Sequence, residues 1–211
     1  MFTGIVTEVG RIAKIDNRGD RRVTVSCAMD PEKIAIGASI ACSGVCLTVV
    51  DRGGAAGDAW FAVDVSGETV SRTAPQQWHE GAAINLEPAL KLGDELGGHI
   101  VTGHVDAVGE IVGVCPEGDS RRFGISAPRE LAPYIAPKGS ITVDGVSLTV
   151  NEVADQPDGS VHFALNIIPH TAGATTLGER AAGDKVNLEI DVLARYLQRM
   201  EMDAHYQVAS G

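Results

Sequence analysis

The sequence predicts an all-β fold made of two small barrels in tandem, followed by one C-terminal helix. Three observations favour this class. Three segments recur in the same order at nearly constant spacing, short runs of β-branched residues punctuate each copy, and glycine is frequent, at 25 of 211 residues. Because glycine is unfavourable inside helices and common at turns and bulges, its abundance favours many short strands.

The internal repeat decides the domain organisation. Each copy contains a Thr-Gly segment, an eleven-residue strand segment and an Asn-Leu-Glu segment, and the second copy follows at offsets of 99, 101 and 102 residues. The pairs are Phe2–Val6 with Val101–Val105, Ser39–Val49 with Ser140–Val150, and Asn85–Glu87 with Asn187–Glu189. Ordered matches at so regular a spacing indicate duplication. They predict an N-terminal barrel over residues 1–97, a C-terminal barrel over 98–190 and a separate segment over 191–211.

Each copy contains enough short strands to close on itself. In the first copy, segments rich in β-branched residues and bounded by Gly, Asp or Asn predict six strands: Val6–Ile15, Arg22–Cys27, Ser39–Ala41, Cys46–Asp51, Trp60–Val65 and Ala82–Glu87. Six strands in so short a unit favour a closed barrel, which has no exposed sheet edge. Short helical turns are predicted at Glu68–Thr73, His170–Thr175 and Pro128–Tyr134.

The last segment has a helical pattern. Apolar residues recur at spacings of three and four, and Asp191 can cap the helix N-terminus; the apolar residues are Val192, Leu193, Tyr196, Leu197 and Met200. No third barrel follows to cover this stripe. The pattern therefore leaves two interpretations open, in which the stripe packs back on its own barrel or against partner chains.

Composition excludes several classes of partner. The net charge of −11 and an aromatic content of 4% argue against nucleic-acid binding, which needs basic patches or stacking platforms. No apolar run approaches the roughly 20 residues that cross a bilayer, and the N-terminus does not resemble a signal peptide. Four cysteines without a paired pattern do not indicate disulfides. We therefore expect a reduced, cytoplasmic protein with no membrane or nucleic-acid partner.

The repeated segments are the natural place for chemistry, because they stayed alike while the rest diverged. In a strand, Cys46 and Thr48 share one face, as do Ser147 and Thr149. These faces are either ordinary solvent-facing surface or polar groups aimed at a ligand. Of the two Thr-Gly pairs, the second alone has histidines around it, His99 and His104, which are either proton carriers or structural residues. Without CxxC or HExxH patterns we predict no metal site, and without GxGxxG, Walker or GxSxG motifs no nucleotide or hydrolase chemistry.

The segments MFTGIV, GVCLTV, GGHIVTGHV, DGVSLTV and IIPHT, in this order, resemble the alpha-type riboflavin synthase family over nearly the whole chain. The resemblance implies two six-stranded Greek-key barrels and a C-terminal helix that holds a homotrimer. It implies dismutation of two molecules of 6,7-dimethyl-8-ribityllumazine without a cofactor, and it leaves an association with lumazine synthase open. One departure is Val45, where many members carry a cysteine; alternation turns it away from the polar face.

The resemblance also implies two lumazine pockets. The first comprises Gly4, Ile5, Val6, Ser39, Cys46, Leu47, Thr48, Asp64, Val65, Ser66, Gly67, Glu68 and Thr69. The second comprises Gly103, His104, Val105, Lys138, Ser147, Leu148, Thr149, Ile168, Pro169, His170, Thr171, Ala172 and Gly173. One substrate is expected on the N-terminal barrel and its partner on the C-terminal barrel of a neighbouring chain.

For the chemistry, the hypothesis is that Ser147, Thr149 and His104 assist proton removal from the acidic 7-methyl group of one lumazine. Cys46 and Ser39 would then activate or shield the other. The second interpretation is a non-enzymatic lumazine- or flavin-binding carrier. Such relatives tend to lose the GGH…GH histidines and the second Ser-Leu-Thr, and both are present here, which favours the enzyme.

Overall fold

A computed structural model describes residues 1–209, apart from the side chains of Arg18 and of residues 203–209. Within this described part, twelve strands form two closed antiparallel barrels. The first contains β1 (Glu8–Arg18), β2 (Asp20–Cys27), β3 (Ser39–Cys42), β4 (Val45–Ala55), β5 (Asp58–Val65) and β6 (Ala83–Pro88). The second contains β7 (Ala107–Glu117), β8 (Ser120–Ala127), β9 (Ser140–Val143), β10 (Val146–Asp155), β11 (Val161–Ile167) and β12 (Lys185–Ile190).

Both barrels have the same strand order, β1-β2-β5-β4-β3-β6 in the first and β7-β8-β11-β10-β9-β12 in the second. The connections from β2 to β3 and from β5 to β6 lead to non-adjacent strands, so each barrel is a Greek key. The predicted fold class is therefore confirmed, and the six strands predicted for the first copy differ from the observed ones by at most four residues at an end.

Side-chain alternation fills the two barrel interiors. In β2, Val23 and Val25 are buried while Thr24 between them is only half-buried, and Phe123 and Ile125 repeat this arrangement in β8. Each barrel encloses its own apolar core. Burying one such side chain contributes about 1.5–3 kcal/mol, so the duplicated apolar pattern is what holds each barrel closed.

The three predicted helical turns are present, with one difference in type. Two are short α-helices, α1 (Gly67–Arg72) and α2 (Pro169–Ala174). The third, Arg129–Tyr134, is a 3₁₀ helix rather than an α-helix. Its Pro133 has no N–H to donate to a carbonyl one turn earlier, which works against regular α-helical bonding there.

The C-terminal helix α3 (Val192–Ala209) begins as the sequence predicts. Asp191 accepts a hydrogen bond from the Leu193 N–H at 2.9 Å, and Arg195 Nη2 lies 2.7 Å from Asp106 Oδ1, which ties the first turns to the second barrel. The apolar stripe is left uncovered, with Leu193 62% and Leu197 66% exposed. The interpretation in which this stripe packs on its own barrel is therefore wrong. Residues 210 and 211 of the predicted segment lie outside the described residues.

No helix within residues 1–209 is both long enough and apolar enough to span a membrane.

Two buried asparagines join the barrels reciprocally. Asn85 donates from Nδ2 to the Asp144 carbonyl and accepts from the Thr176 N–H, both at 2.8 Å. Its repeat partner, Asn187, bonds the first barrel in the same way, donating to the Ser43 carbonyl at 2.8 Å and accepting from the Ala74 N–H at 2.7 Å. The asparagine of the repeated Asn-Leu-Glu segment thus bonds each barrel to the other.

We expect Asn85→Ala to lower the free energy of unfolding by about 2 kcal/mol, because it leaves a buried N–H and a buried carbonyl without partners. Urea denaturation followed by circular dichroism measures the effect. Asn17→Ala, at an exposed position of β1, is the matched control and should stay within about 0.5 kcal/mol. A loss as small for Asn85→Ala as for the control would contradict this role.

Candidate functional site

The two Thr-Gly segments each cross to the opposite barrel. The Gly4 carbonyl accepts a hydrogen bond from the Ser147 N–H of the second barrel, and the Gly103 carbonyl accepts one from the Cys46 N–H of the first, both at 2.8 Å. Side chains next to these glycines also contact the opposite barrel: Val6 packs against the core of the second barrel and Val105 against that of the first.

Only glycine fits at the crossing points. Gly4 and Gly103 have φ angles of +76° and +78°, a backbone region that L-residues with side chains rarely adopt. A Cβ added at Gly4 would lie 2.5 Å from Ser147 Cβ, and one at Gly103 would lie 2.6 Å from Cys46 Cβ. The repeated glycine therefore serves the close approach of two backbones, and places a polar side chain of one barrel beside a loop of the other.

Two buried carboxylates hold these loops. Glu87 accepts from the Thr3 N–H at 2.7 Å, the Thr3 hydroxyl at 2.8 Å and the Gly4 N–H at 3.0 Å. Glu189 accepts equivalent bonds from Thr102 and Gly103, and a further one from the His104 N–H at 3.1 Å. Burial raises the pKa of Glu87, while the donated bonds oppose that shift. Sequence reasoning did not select either carboxylate, although both belong to the repeated Asn-Leu-Glu segment.

The crossing corrects the predicted grouping of the pockets, which placed Gly4–Val6 with Cys46 and Gly103–Val105 with Ser147. Loop and strand residues are exchanged within one chain. What we call the Ser147 site contains Gly4, Ile5, Val6, Ser147, Leu148, Thr149 and residues Ile168–Gly173. What we call the Cys46 site contains Gly103, His104, Val105, Ser39, Cys46, Leu47, Thr48 and residues Asp64–Thr69.

The predicted alternation along β4 is present. Leu47 and Val45 are buried in the barrel, whereas Cys46 is half-buried and Thr48 is exposed on the outer face. Ser39 pairs with Thr48 across the β3–β4 ladder, which brings it to the same surface. In β10, Ser147 is half-buried and Thr149 exposed in the same way. The polar faces of the repeated strands therefore point out of the barrels, where a ligand can reach them.

The two short helices flank these faces. β4 pairs antiparallel with β5, so α1, which follows β5, lies at the end of the ladder where β4 begins at Val45. Ser66 caps α1 by accepting from the Thr69 N–H at 3.1 Å, and Asp64 is paired with Arg22 at 2.9 Å. By the same geometry, α2 lies at the Ser147 end of β10. Its capping residue Ile168 is 51% exposed and offers apolar surface to a flat ligand.

The histidines are placed differently from the hypothesis. His104 follows Gly103 and lies on the Cys46 side, so within one chain it is not grouped with Ser147. The histidine that contacts Ser147 is His99, whose Nδ1 lies 2.7 Å from Ser147 Oγ. The sequence showed His99 beside the Thr-Gly pair, but the crossing that brings it to Ser147 depends on the arrangement of the barrels.

Lys138, predicted for the second pocket, lies in an exposed turn of the second barrel. Its φ is +69°, and its N–H donates to the Val150 carbonyl at 2.7 Å. The first barrel has Gly37 in the equivalent turn, with φ of +84° and the same bond to Val49. A lysine in this backbone region costs about 1–2 kcal/mol relative to glycine, which is consistent with a role for its side chain rather than for the turn.

We expect Glu87→Gln to loosen the opposite barrel's site. The substitution removes the negative charge that accepts hydrogen bonds from Thr3 and Gly4, and the Gly4 carbonyl is the acceptor of the Ser147 N–H. The Ser147 N–H should therefore exchange with deuterium about tenfold faster, while the exchange of the Cys46 N–H stays unchanged. Glu189→Gln is the matched control and should have the reverse effect. Amide exchange by nuclear magnetic resonance measures both; acceleration confined to the mutated residue's own barrel would contradict the crossed arrangement.

The chain matches the model of a known protein family. The model of the lumazine binding domain matches this chain twice, over residues 3–89 and 102–191. The chain belongs to the lumazine-binding domain family. Similar proteins include the riboflavin synthases of Brucella abortus (strain 2308), 50% identical over 98% of this chain and all of that protein, and of Mycobacterium tuberculosis (strain ATCC 25618 / H37Rv), 46% identical over 97% and 100%. That of Bacillus subtilis (strain 168) is 36% identical over 94% and 89%.

Two solved structures have the same fold as this chain. LumP complexed with 6,7-dimethyl-8-(1'-D-ribityl) lumazine superposes with a TM-score of 0.76 at 26% identity, covering 90% of this chain and 99% of that one. LumP complexed with riboflavin gives a TM-score of 0.75 at 27% identity, with the same coverage.

Proposed function

We propose that this chain is a riboflavin synthase. It converts two molecules of 6,7-dimethyl-8-ribityllumazine into riboflavin and 5-amino-6-ribitylaminopyrimidinedione by transfer of a four-carbon unit. The observation that carries the proposal is the pair of sites in one chain, which share a backbone frame but differ in side chains. Ser147 contacts His99 in one, and Cys46 stands beside the loop of His104 in the other. The relatives named riboflavin synthase, at 36–50% identity, support the same reaction.

Two sites that have the same backbone arrangement but different side chains suit a dismutation. Both substrates are the same compound, so both need the same frame, and the four carbons lost by one molecule are those gained by the other. No outside oxidant, reductant or cofactor is consumed. The two rings must meet in contact, and correct placement of reactants corresponds to effective concentrations of about 10⁵–10⁸ M in favourable cases. Exposed apolar side chains at the Ser147 site, Ile5 and Ile168, provide surface for a flat ring.

The side chains of the two sites divide the chemistry. At the Ser147 site, Ser147 and Thr149 present hydroxyls on the outer face of β10 and assist proton removal from the 7-methyl group. At the Cys46 site, Cys46 and Ser39 activate or shield the second lumazine. His104 belongs to the Cys46 site, so it reaches the proton-removal step only where the Cys46 site of one chain faces the Ser147 site of another.

We also propose that three copies associate through α3. Its apolar stripe is unusually exposed for a monomer, with Tyr196 65% and Met200 69% accessible besides the two leucines. The base of the helix is fixed to the second barrel by the Arg195–Asp106 ion pair, so the stripe has a defined direction. A closed ring of three copies would bring the Cys46 site of each chain to the Ser147 site of the next.

Two further proposals concern the cell. A cytoplasmic location is supported by the four cysteines, Cys27, Cys42, Cys46 and Cys115, which are all free thiols. An association with lumazine synthase is supported by the chemistry, because the product of that enzyme would be the substrate here. Co-sedimentation of the two purified proteins tests the association.

A carrier that binds a lumazine or flavin without converting it is the alternative function. It is favoured by the likeness to the LumP complexes, at TM-scores of 0.75–0.76. The Ser147–His99 contact argues for the enzyme, since a carrier has no need of a polar pair of this kind in its site.

The pure protein, given only the lumazine in buffer, should form riboflavin, whose fluorescence reports the reaction as it proceeds. Boiled protein is the control for the uncatalysed reaction. Tight binding of the lumazine with recovery of unchanged compound would support the carrier and overturn the enzyme.

A further inference from the structure

The segment that joins the two barrels passes directly over Ser147. Its His99 N–H donates to the Thr3 carbonyl at 3.1 Å, which fixes the segment to the crossed loop of the Ser147 site. A Cβ added at the preceding residue, Gly98, would lie 2.9 Å from Ser147 Oγ, so the backbone packs against one side of that half-buried hydroxyl. His99 is thereby held in one place, and only 9% of its surface is exposed.

Both ring nitrogens of His99 have partners. Nδ1 lies 2.7 Å from Ser147 Oγ, and Nε2 lies 3.2 Å from the hydroxyl of Thr142, a buried residue of β9. Burial lowers the pKa of His99 below its ordinary value of 6.5, and the carboxylate of Asp191 acts in the opposite direction. The other acidic groups around it are Glu189, which pairs with Thr142 in the β9–β12 ladder, and Glu87, which binds Thr3. A neutral imidazole has one acceptor nitrogen and one donor nitrogen.

We propose that His99 is the positioning residue of the Ser147 site: its Nδ1 accepts the hydrogen bond of the Ser147 hydroxyl, and its Nε2–H donates to Thr142. This arrangement turns the lone pairs of Ser147 Oγ towards the substrate. The inference rests on the proposed riboflavin synthase activity and adds to it the group that receives the proton. It also assigns proton removal to the Ser147 site rather than the Cys46 site.

The proton transfer balances within the site. A C–H bond of the 7-methyl group breaks, and its proton bonds to Ser147 Oγ while the hydroxyl proton of Ser147 moves to His99 Nδ1. The electron pair of the C–H bond stays on the lumazine as a delocalised anion, and His99 becomes an imidazolium. The imidazolium later gives this proton back through Ser147 Oγ to the amino nitrogen that is released as the pyrimidinedione forms, so His99 and Ser147 return to their starting state.

The Cys46 site lacks this arrangement. Among the residues that the structure describes, no hydrogen bond joins a histidine to the Cys46 thiol, and His104 is exposed beside it. The duplication thus kept the crossed backbone arrangement in both copies, but within the described residues a buried histidine is found at the Ser147 site and not at the Cys46 site.

Three variants and one matched control test the proposal. In His99→Asn the amide can still bond Ser147 but cannot take a proton, so we expect kcat to fall about 10- to 100-fold while KM stays within about threefold. The acid limb of the wild-type kcat–pH profile, expected below pH 6.5, should disappear. His79→Asn, an exposed histidine whose ring contacts the carbonyl of Glu80, is the matched control. The double variant of His99→Asn with Ser147→Ala should be no slower than Ser147→Ala alone, because His99 acts through Ser147.

A kcat equal to that of the wild type in His99→Asn would overturn the proposal. So would a loss of kcat in the double variant equal to the product of the losses in the two single variants. The tautomer of His99 in the unmodified protein provides a test that needs neither a variant nor turnover. Nitrogen-15 resonance shifts should show an unprotonated Nδ1 and a protonated Nε2; the opposite tautomer would overturn the proposal. If the unmodified protein forms no riboflavin at all, the proposed function fails instead, whatever the tautomer.

Discussion

Replacing Leu193 and Leu197 together by aspartate should separate the chains and reduce riboflavin formation about 1,000-fold or more. Both side chains lie on the exposed stripe of α3, and two carboxylates there would have to be buried without partners if the chains stayed together. Each isolated chain keeps both barrels and both sites. Its two lumazines no longer meet in a fixed geometry, so the contribution of placement to the rate is lost.

Light scattering after gel filtration measures the assembly, and the riboflavin assay measures the rate. Arg199→Asp, outside the apolar stripe of α3, changes the net charge by the same amount as the two leucine substitutions and is the matched control. It should leave both assembly and rate unchanged. Full activity in a double leucine variant that has become a single chain would refute the proposed sharing of the reaction centre between chains.

Ser147→Ala should lower kcat by about 100-fold or more, the usual contribution of a positioned proton acceptor. The Ser147 N–H that bonds Gly4 is unaffected, so the crossed loop and the apolar surface of the site remain, and KM should change less than about threefold. The loss should therefore appear in kcat rather than in substrate binding.

Steady-state rates over a range of lumazine concentrations separate the two constants. Ser126→Ala, which removes a half-buried hydroxyl from the outer face of β8, provides the comparison and should behave as the unmodified protein. A kcat within a factor of two of the unmodified protein for Ser147→Ala would remove Ser147 from the proposed chemistry and leave Thr149 as the candidate.

Much of each barrel could be predicted from the sequence, because local pattern and barrel closure agree. The alternation that buries Leu47 and turns out Cys46 and Thr48 is a property of any half-buried strand, so it could be read directly. Asp191 as a helix cap was also visible, since its side-chain chemistry is local. Because the sequence repeats, the second barrel could be predicted from the first.

The crossing of the two loops could not be predicted in the same way. Whether Gly4 meets Cys46 or Ser147 depends on how two separately closed barrels dock, and the pattern within each barrel is the same in both cases. The anchoring roles of Glu87 and Glu189 and the contact of His99 with Ser147 follow from that docking. In hindsight, the repeated Asn-Leu-Glu segment was the available signal, because a buried carboxylate and amide at the same place in both copies need partners beyond their own strand.

In the proposed reaction, the two different sites of this protein hold two molecules of one compound, which react with each other. The most direct test is a complete product balance: lumazine, riboflavin and the pyrimidinedione quantified together by chromatography after incubation with the pure protein in cofactor-free buffer. We expect two lumazines to be consumed for each riboflavin and each pyrimidinedione formed. One riboflavin per lumazine, or unchanged lumazine recovered from the protein, would contradict it.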